Sequence, residues 1–453
     1  MIVVALVVLA VGLATAPLAR SAAAARPPLV AHVPGQPTWV SPTPPFRFRV
    51  WLVVAAIAVV LTVGAIAFAP AFQVAAAIFG LVLLGLVTAI LRRYATGCRE
   101  IRDALEAYAP RIAMPYAGKV GVHIGMWSPW IDRTGVPWVI VAKTPGLFHE
   151  LAEMYPDTPI VHGRIPASVR GALYPHGAAK NVDFIEGSPD VTHAFLGHGD
   201  SDKPLSASER VLQYDLVTVA GQAAIDRFAA AGLAIPPERL RIIGRPQTEG
   251  IQRGARRVRA NPTVLYAPTW RHADDTLNVS SLAVADRIVQ ALLDRGCTVV
   301  FRRHFAGQNH LEAEAMIVRV NEILAADAAA TGRAHRRGLA AMEEPLIATF
   351  NSVDAMVSDV SGIVVDFLAS DKPLVMYAAQ HDSAESFRAA HPTGRAAYVL
   401  DRELTELRPA LDAALGKDPL AARRAELADH YLGGPDRAEP ARRFMDLVVE
   451  LSS

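Results

Sequence analysis

The sequence is poor in the residues that staple or charge a fold. Only two cysteines, Cys98 and Cys297, occur in 453 residues. Their number and separation exclude a disulfide-rich secreted module and a cysteine-based zinc site, and both read as buried thiols. Charged residues make up 20% and aromatics 7%, with 45 basic side chains set against 44 acidic ones. That near balance leaves no global electrostatic footprint for nucleic acid, so any polyanion site has to be local. Internal repeats in the range of about 20–50 residues are lacking, as is any run of residues with metal-ligand spacing. What the chain has in excess is apolar residues, 52% of the total, which excludes a disordered polypeptide.

The apolar excess lies at the front. Val50 to Ala69 and Ala71 to Leu91 are two uncharged runs separated by Pro70. Each holds about 20 residues, enough at roughly 1.5 Å per residue to cross a hydrocarbon core of about 30 Å. They read as a transmembrane helical hairpin. Arg47 and Arg49 precede it and Arg92 and Arg93 follow it, which puts both ends on the cytoplasmic side. A third run, Ile2 to Leu18, lacks the basic n-region of a signal peptide and reads as a retained helix. The proline-rich segment Arg26 to Pro45 reads as an extended connector with no packing of its own. Residues 1–97 are thus expected to form a membrane anchor of two or three transmembrane helices plus connector, in a multi-pass cell-membrane protein with cytoplasmic catalytic domains.

From Cys98 onward, short β-like runs alternate with helical stretches, the pattern of parallel sheets covered by helices. Strands are expected at Lys119–Ile124, Trp138–Ala142, His193–Gly197, Leu216–Ala220 and Leu240–Gly244. After a basic, proline-containing stretch from Arg253 to Pro262 the pattern restarts at Thr263–Ala267, Thr298–Arg302, Asp354–Ser358 and Pro373–Tyr377. The fold class is therefore α/β, with two doubly wound Rossmann-like domains over residues 98–252 and 253–453. Ligands of such sheets bind beyond the carboxyl ends of the strands, so chemistry is sought there.

Three places qualify. In VSDVSGIVVDF, a strand ending near Ser358 runs into Asp359, Ser361 and Gly362 and then an apolar helix. The free N–H groups of that helix start offer a seat for phosphate, although Asp359 or Ser361 acting only as a helix cap is the plainer alternative. Asp366, a carboxylate in an apolar helix, is suited to a ribose diol. In HAFLGHGDSDKP, His198 ends a strand as a candidate general base, with Gly199 permitting a turn and Lys203 neutralising phosphate. Asp200 and Asp202 are read as facing water. Two further His-Gly pairs, His162-Gly163 and His176-Gly177 with Lys180 nearby, are equal candidates on these grounds, and a surface turn would explain each. In VLYAPTWRH and VVFRRHF, Arg271, Arg302 and His304 could grip phosphate oxygens, while Trp270 is expected in the core and Arg302 has a solvated strand end as its alternative.

Together these motifs resemble the CDP-glycerol glycerophosphotransferase family, which builds or primes teichoic-acid-type polymers. The family's His-Gly, three residues, then Lys matches His198, Gly199 and Lys203 and does not fit His176 with Lys180. Tyr266 to Arg271 match its Tyr-Ala-Pro-Thr-Trp-Arg segment unchanged, and Gly244 to Pro246 match its Gly-x-Pro element. Arg302 to Phe305 resemble its Arg-x-His-Pro element with Phe305 in place of proline. Asp359 to Gly362, Asp366 and Asp371 to Pro373 resemble its Asp-Tyr-Ser-Ser, Asp and Asp-Lys-Pro elements, with Gly362 in place of a serine.

The resemblance implies a GT-B architecture with the active site between the domains. It implies His198 as the base and a donor pyrophosphate held by Arg302, His304, Ser361, Gly362 and Arg271. Asp366 would lie on the nucleotide and ribose, with Gly199 and Lys203 on the acceptor or phosphate side. The implied donor is CDP-glycerol or a related CDP-polyol, the acceptor a lipid-linked or glycan hydroxyl, and the product CMP. No cofactor and no metal are expected, Arg and His supplying the positive charge. The two substitutions leave open a sugar-nucleotide-dependent glycosyltransferase and a non-catalytic nucleotide-binding relative as alternatives.

Overall fold

The computed structural model describes residues 29–35, 39–40, 89, 93–94, 96–119, 121–203, 206–254, 259–272, 274, 277–304 and 310–453. The run Ile2–Leu18, the pair Val50–Ala69 and Ala71–Leu91 apart from Ala89, and Phe305 lie outside these residues. Among the described residues no helix is long and apolar enough to cross a membrane.

The first domain is built on nine strands: β1 Val30–Ala31, β2 Trp39–Val40, β3 Ile112–Tyr116, β4 Trp138–Ala142, β5 Ile160–His162, β6 Gly171–Tyr174, β7 Thr192–Phe195, β8 Leu216–Val219 and β9 Leu240–Ile242. Their spatial order is β2-β1-β5-β4-β3-β6-β7-β8-β9. From β5 to β9 all pairs are parallel, and β1 joins β5 antiparallel. The chain builds outward from β3 through β4 to β5, then returns to place β6 on the other flank of β3. That reversal makes a switch point, where open α/β sheets leave a crevice.

The second domain carries β10 Thr263–Ala267, β11 Thr298–Phe301, β12 Ala355–Ser358, β13 Leu374–Tyr377 and β14 Tyr398–Leu400. The order is β11-β10-β12-β13-β14 and every pair is parallel. Its switch point lies between β10 and β12. Strand β10 forms where a β-branched and aromatic run, TVLYA, is stopped by Pro262 and Pro268; four of its five residues are buried, as a strand covered on both faces requires. Helix Ala285–Asp294 buries Ile288, Val289 and Leu292, a stripe at helical spacing against that sheet.

Several expectations need correction. Lys119–Ile124 is not a strand: Gly121–Met126 is a 3₁₀ turn, and the true strand is the preceding β3. Its Pro115 faces Val141 of β4, while the pairing of β3 with β6 stops at Ala113. The missing N–H therefore falls where no ladder bond to β6 is needed. The connector is packed in part, since Val30 and Ala31 form β1 and Val33 is 2% exposed. The last helix, Glu439–Leu451, expected with the second domain, crosses back. Phe444, Leu447, Val448 and Leu451 join the core of the first domain with Ile112 and Trp127. Both cysteines are free and buried, and burial pushes the Cys297 thiol up to about 11.

Candidate active site

The carboxyl edges of the two sheets meet. On the first-domain side, three neighbouring strands each deliver a histidine just beyond their ends: β3 leads to His123, β6 to His176 and β7 to His198. The His123 ring lies 4.4 Å from that of His198 and 5.1 Å from that of His176, and the His176 and His198 rings are 5.2 Å apart. His198 is the most open of the three. Burial, then His176, then Arg245 pull its pKa down to about 4, against a small opposing effect of the Pro175 carbonyl. The open side of the ring moderates that pull, and the imidazole is neutral at pH 7 in either case. Burial and the two neighbouring imidazoles take His123 down to about 4, and burial also lowers His176. The turn before His198 is made by Gly197 at φ 71°, where glycine is favoured; its carbonyl accepts from Trp127 Nε1 at 2.9 Å. Gly199 is not in that backbone region, correcting its assigned part in the turn.

Facing these loops, Asp359 follows β12 and is fully buried. It accepts hydrogen bonds from Thr269 N at 3.0 Å, Ser281 N at 2.8 Å and Ser281 Oγ at 2.9 Å, tying together the loops of the second switch point. Burial nevertheless pushes its carboxyl up to about 6. Ser361 starts helix Gly362–Leu368; it is 7% exposed and its hydroxyl is buried without a hydrogen-bond partner. A Cβ placed on Gly362 would lie 3.5 Å from the Asp200 carbonyl oxygen, so the His198 loop and this helix start are in near contact.

Other groups bridge the domains. Lys203 Nζ donates to Thr269 Oγ1 at 3.1 Å, and burial lowers its pKa against the pull of Asp359. His304 sits where burial and Lys203 bring it to about 4. The His198–Lys203 loop therefore lies against the second-domain segments that carry Thr269, His304 and the Ser361–Gly362 helix start.

Other assigned residues turn out to be engaged elsewhere. Asp366 is not free for a ribose, because its oxygens accept from Arg245 Nε at 2.8 Å and Nη2 at 3.1 Å in a buried pair. Arg302 spends its guanidinium on the carbonyls of Ala341 at 2.6 Å, Glu344 at 2.7 Å and Met342 at 3.3 Å, where it braces a helix end. Arg271 is held by Glu312 at 3.2 Å and by His310. Trp270 is half-buried, not a core residue. Asp200 and Asp202 face inward, not to water: Asp200 pairs with Arg227, and Asp202 accepts from Thr393 N at 2.8 Å, Thr393 Oγ1 at 2.7 Å and Tyr431 OH at 2.6 Å.

His176, read as equally well explained by a surface turn, is half-buried against His198, and His123 escaped the sequence reading altogether. No local spacing announces either one. Only the knowledge that β3, β6 and β7 are sheet neighbours would have found them.

The model of the family CDP-Glycerol:Poly(glycerophosphate) glycerophosphotransferase matches residues 245–389, about a third of the chain and the stretch that holds the second-domain half of this cleft. That stretch is glycerophosphotransferase-like. No curated protein sequence matches it. Solved structures similar to this chain include a wall teichoic acid polymerase, TagF, at 12% identity over 76% of this chain and 89% of that one with a TM-score of 0.47. A putative UDP-N-acetylglucosamine 2-epimerase from Listeria monocytogenes is similar at 11% identity over 75% and 95%, TM-score 0.48. A glycosyltransferase from Rickettsia africae is similar at 12% over 75% and 97%, TM-score 0.43. Likenesses this distant fix neither substrate nor activity.

Proposed function

We propose that the protein transfers glycerol phosphate, or a similar polyol phosphate, from a CDP-activated donor to an acceptor hydroxyl and releases CMP. The observation that carries this reading is the meeting of the His198 loop with the Ser361–Gly362 helix start, 3.5 Å from Asp200 O to the position of a Gly362 Cβ, within a cleft whose second-domain side matches the family. The neutral His198 takes the proton of the acceptor hydroxyl on a free ring nitrogen. The alkoxide oxygen forms a bond to the phosphorus that bears the glycerol, and the bond from that phosphorus to the bridging oxygen breaks, so CMP leaves with the electron pair. The unpartnered Ser361 hydroxyl, the N–H groups of the helix start, Lys203 and His304 seat the diphosphate. Such a transfer is mainly a matter of positioning and charge neutralisation.

Membrane attachment through residues 50–91 fits the same reading. The chain before that segment and the chain after it meet in one core, Val30 and Val33 beside Ile101. A lipid-linked or glycan acceptor on the membrane surface would meet the cleft at high effective concentration.

The test is CMP release from CDP-glycerol by the detergent-solubilised full chain. His198→Ala is expected to slow it by about 10²–10⁴-fold, and CDP is expected to stabilise the protein where UDP does not. Undiminished turnover in the variant removes His198 from the role.

A further inference from the structure

We infer that His123, His176 and His198 form a binding site for a transition-metal dication of the Zn²⁺ class, and that the bound ion competes with the acceptor proton for the lone pair of His198. The competition rests on the role of His198 proposed above; the site itself does not.

Each of the three histidines offers a ring nitrogen, and these nitrogens lie within 4.8 Å of one another. A tetrahedral centre with Zn–N bonds of about 2.0–2.1 Å needs nitrogens roughly 3.3 Å apart, within reach of side-chain rotation on rings that already stack. Among the described residues no acidic side chain hydrogen-bonds to any of the three, so each keeps a lone pair to give.

The surroundings are those of a ligand set. Metal-bound imidazoles usually fix their second ring nitrogen on an oxygen partner, which sets tautomer and orientation. His123 Nδ1 lies 2.8 Å from Tyr116 OH, which leaves Nε2 for the cluster. Gly118 allows this contact, because a Cβ there would sit 2.6 Å from the Tyr116 hydroxyl. His176 Nδ1 is buried with no hydrogen-bond partner, an orphaned polar atom that is costly to bury until a partner arrives. Three imidazoles with one open side, at His198, match the layout that leaves a fourth coordination position for water or a substrate oxygen. That position faces the cleft.

Titration of Co²⁺ into the chelator-treated full-length protein tests the site without donor or acceptor. One equivalent is expected to bind with the visible d–d bands of a four-coordinate ion and to be displaced by Zn²⁺. His123→Gln and His176→Gln are expected to abolish those bands, and Tyr116→Phe to weaken binding by about 10–100-fold, circular dichroism confirming that each variant is folded. Absence of binding to the folded protein, or binding unchanged in both histidine variants, overturns the site. In the transfer assay Zn²⁺ is expected to suppress CMP release and a chelator to restore it; stimulation by Zn²⁺ overturns the competition. A chain that gives no CMP under any condition yet keeps the Co²⁺ spectrum refutes the transfer reading alone.

Discussion

Replacing Asp366 by alanine separates a structural from a ligand-binding role for a residue that the sequence offers to a ribose. In the fold its carboxylate is held by both prongs of Arg245, a side chain only 4% exposed. Removing it strands a guanidinium that cannot shed its proton, with Asp200 as the remaining acidic neighbour that acts on it. Breaking a buried pair from one side costs about 3–5 kcal/mol. At about 2–4 °C per kcal/mol for a domain of this size, the unfolding midpoint should fall by roughly 6–20 °C. The double variant Arg245→Met/Asp366→Leu leaves no stranded charge and should recover most of the loss, giving a large coupling in a double-mutant cycle. Scanning calorimetry of the solubilised full chain, with and without CDP, reads both effects. An Asp366→Ala protein that melts like the parent but binds CDP more weakly would refute this reasoning and return the carboxylate to the nucleotide.

Ser361→Ala removes a buried hydroxyl that has no partner, so the ligand-free protein should be unchanged or slightly more stable, while KM for CDP-glycerol rises about tenfold for one lost charge-assisted bond; a large loss of stability with KM unchanged would mark a structural serine. The Asp359 carboxyl, raised in the fold to about 6 from an ordinary 3.8, binds its proton more tightly folded than unfolded. Its contribution to stability is therefore full below the unfolded value and is lost as pH rises through 6, on the order of 3 kcal/mol in total. Denaturant midpoints between about pH 4 and about pH 7 should accordingly favour Asp359→Asn over the parent progressively with rising pH, and a constant difference between the two proteins would contradict the assignment.

What the sequence made legible follows from how local each signal is. Strands β4 and β10 stand out because a short apolar run is bounded by residues that stop it. The same criterion misplaced β3, because Pro115 disguises a central strand and KVGVHI next to it mimics one. The loops carrying His198, Ser361 and His304 were legible through their place after strands. Partners far along the chain were not: Asp366 finds Arg245 across 121 residues and Asp202 finds Tyr431 across 229. A carboxylate with a distant partner looks, in one dimension, like a carboxylate awaiting a ligand.

The returning C-terminal helix has a mechanical consequence. Polypeptide passes between the lobes twice, outward through the stretch after Gly244 and back where helix Ala421–Leu432 hands over to Glu439–Leu451. Gly244 itself abuts Pro440 of the return leg, with a Cβ position only 2.5 Å from that ring, so the two straps run side by side. Lobes joined by adjacent straps are tethered along one side, so any opening of the cleft has to come from the edge away from that spine.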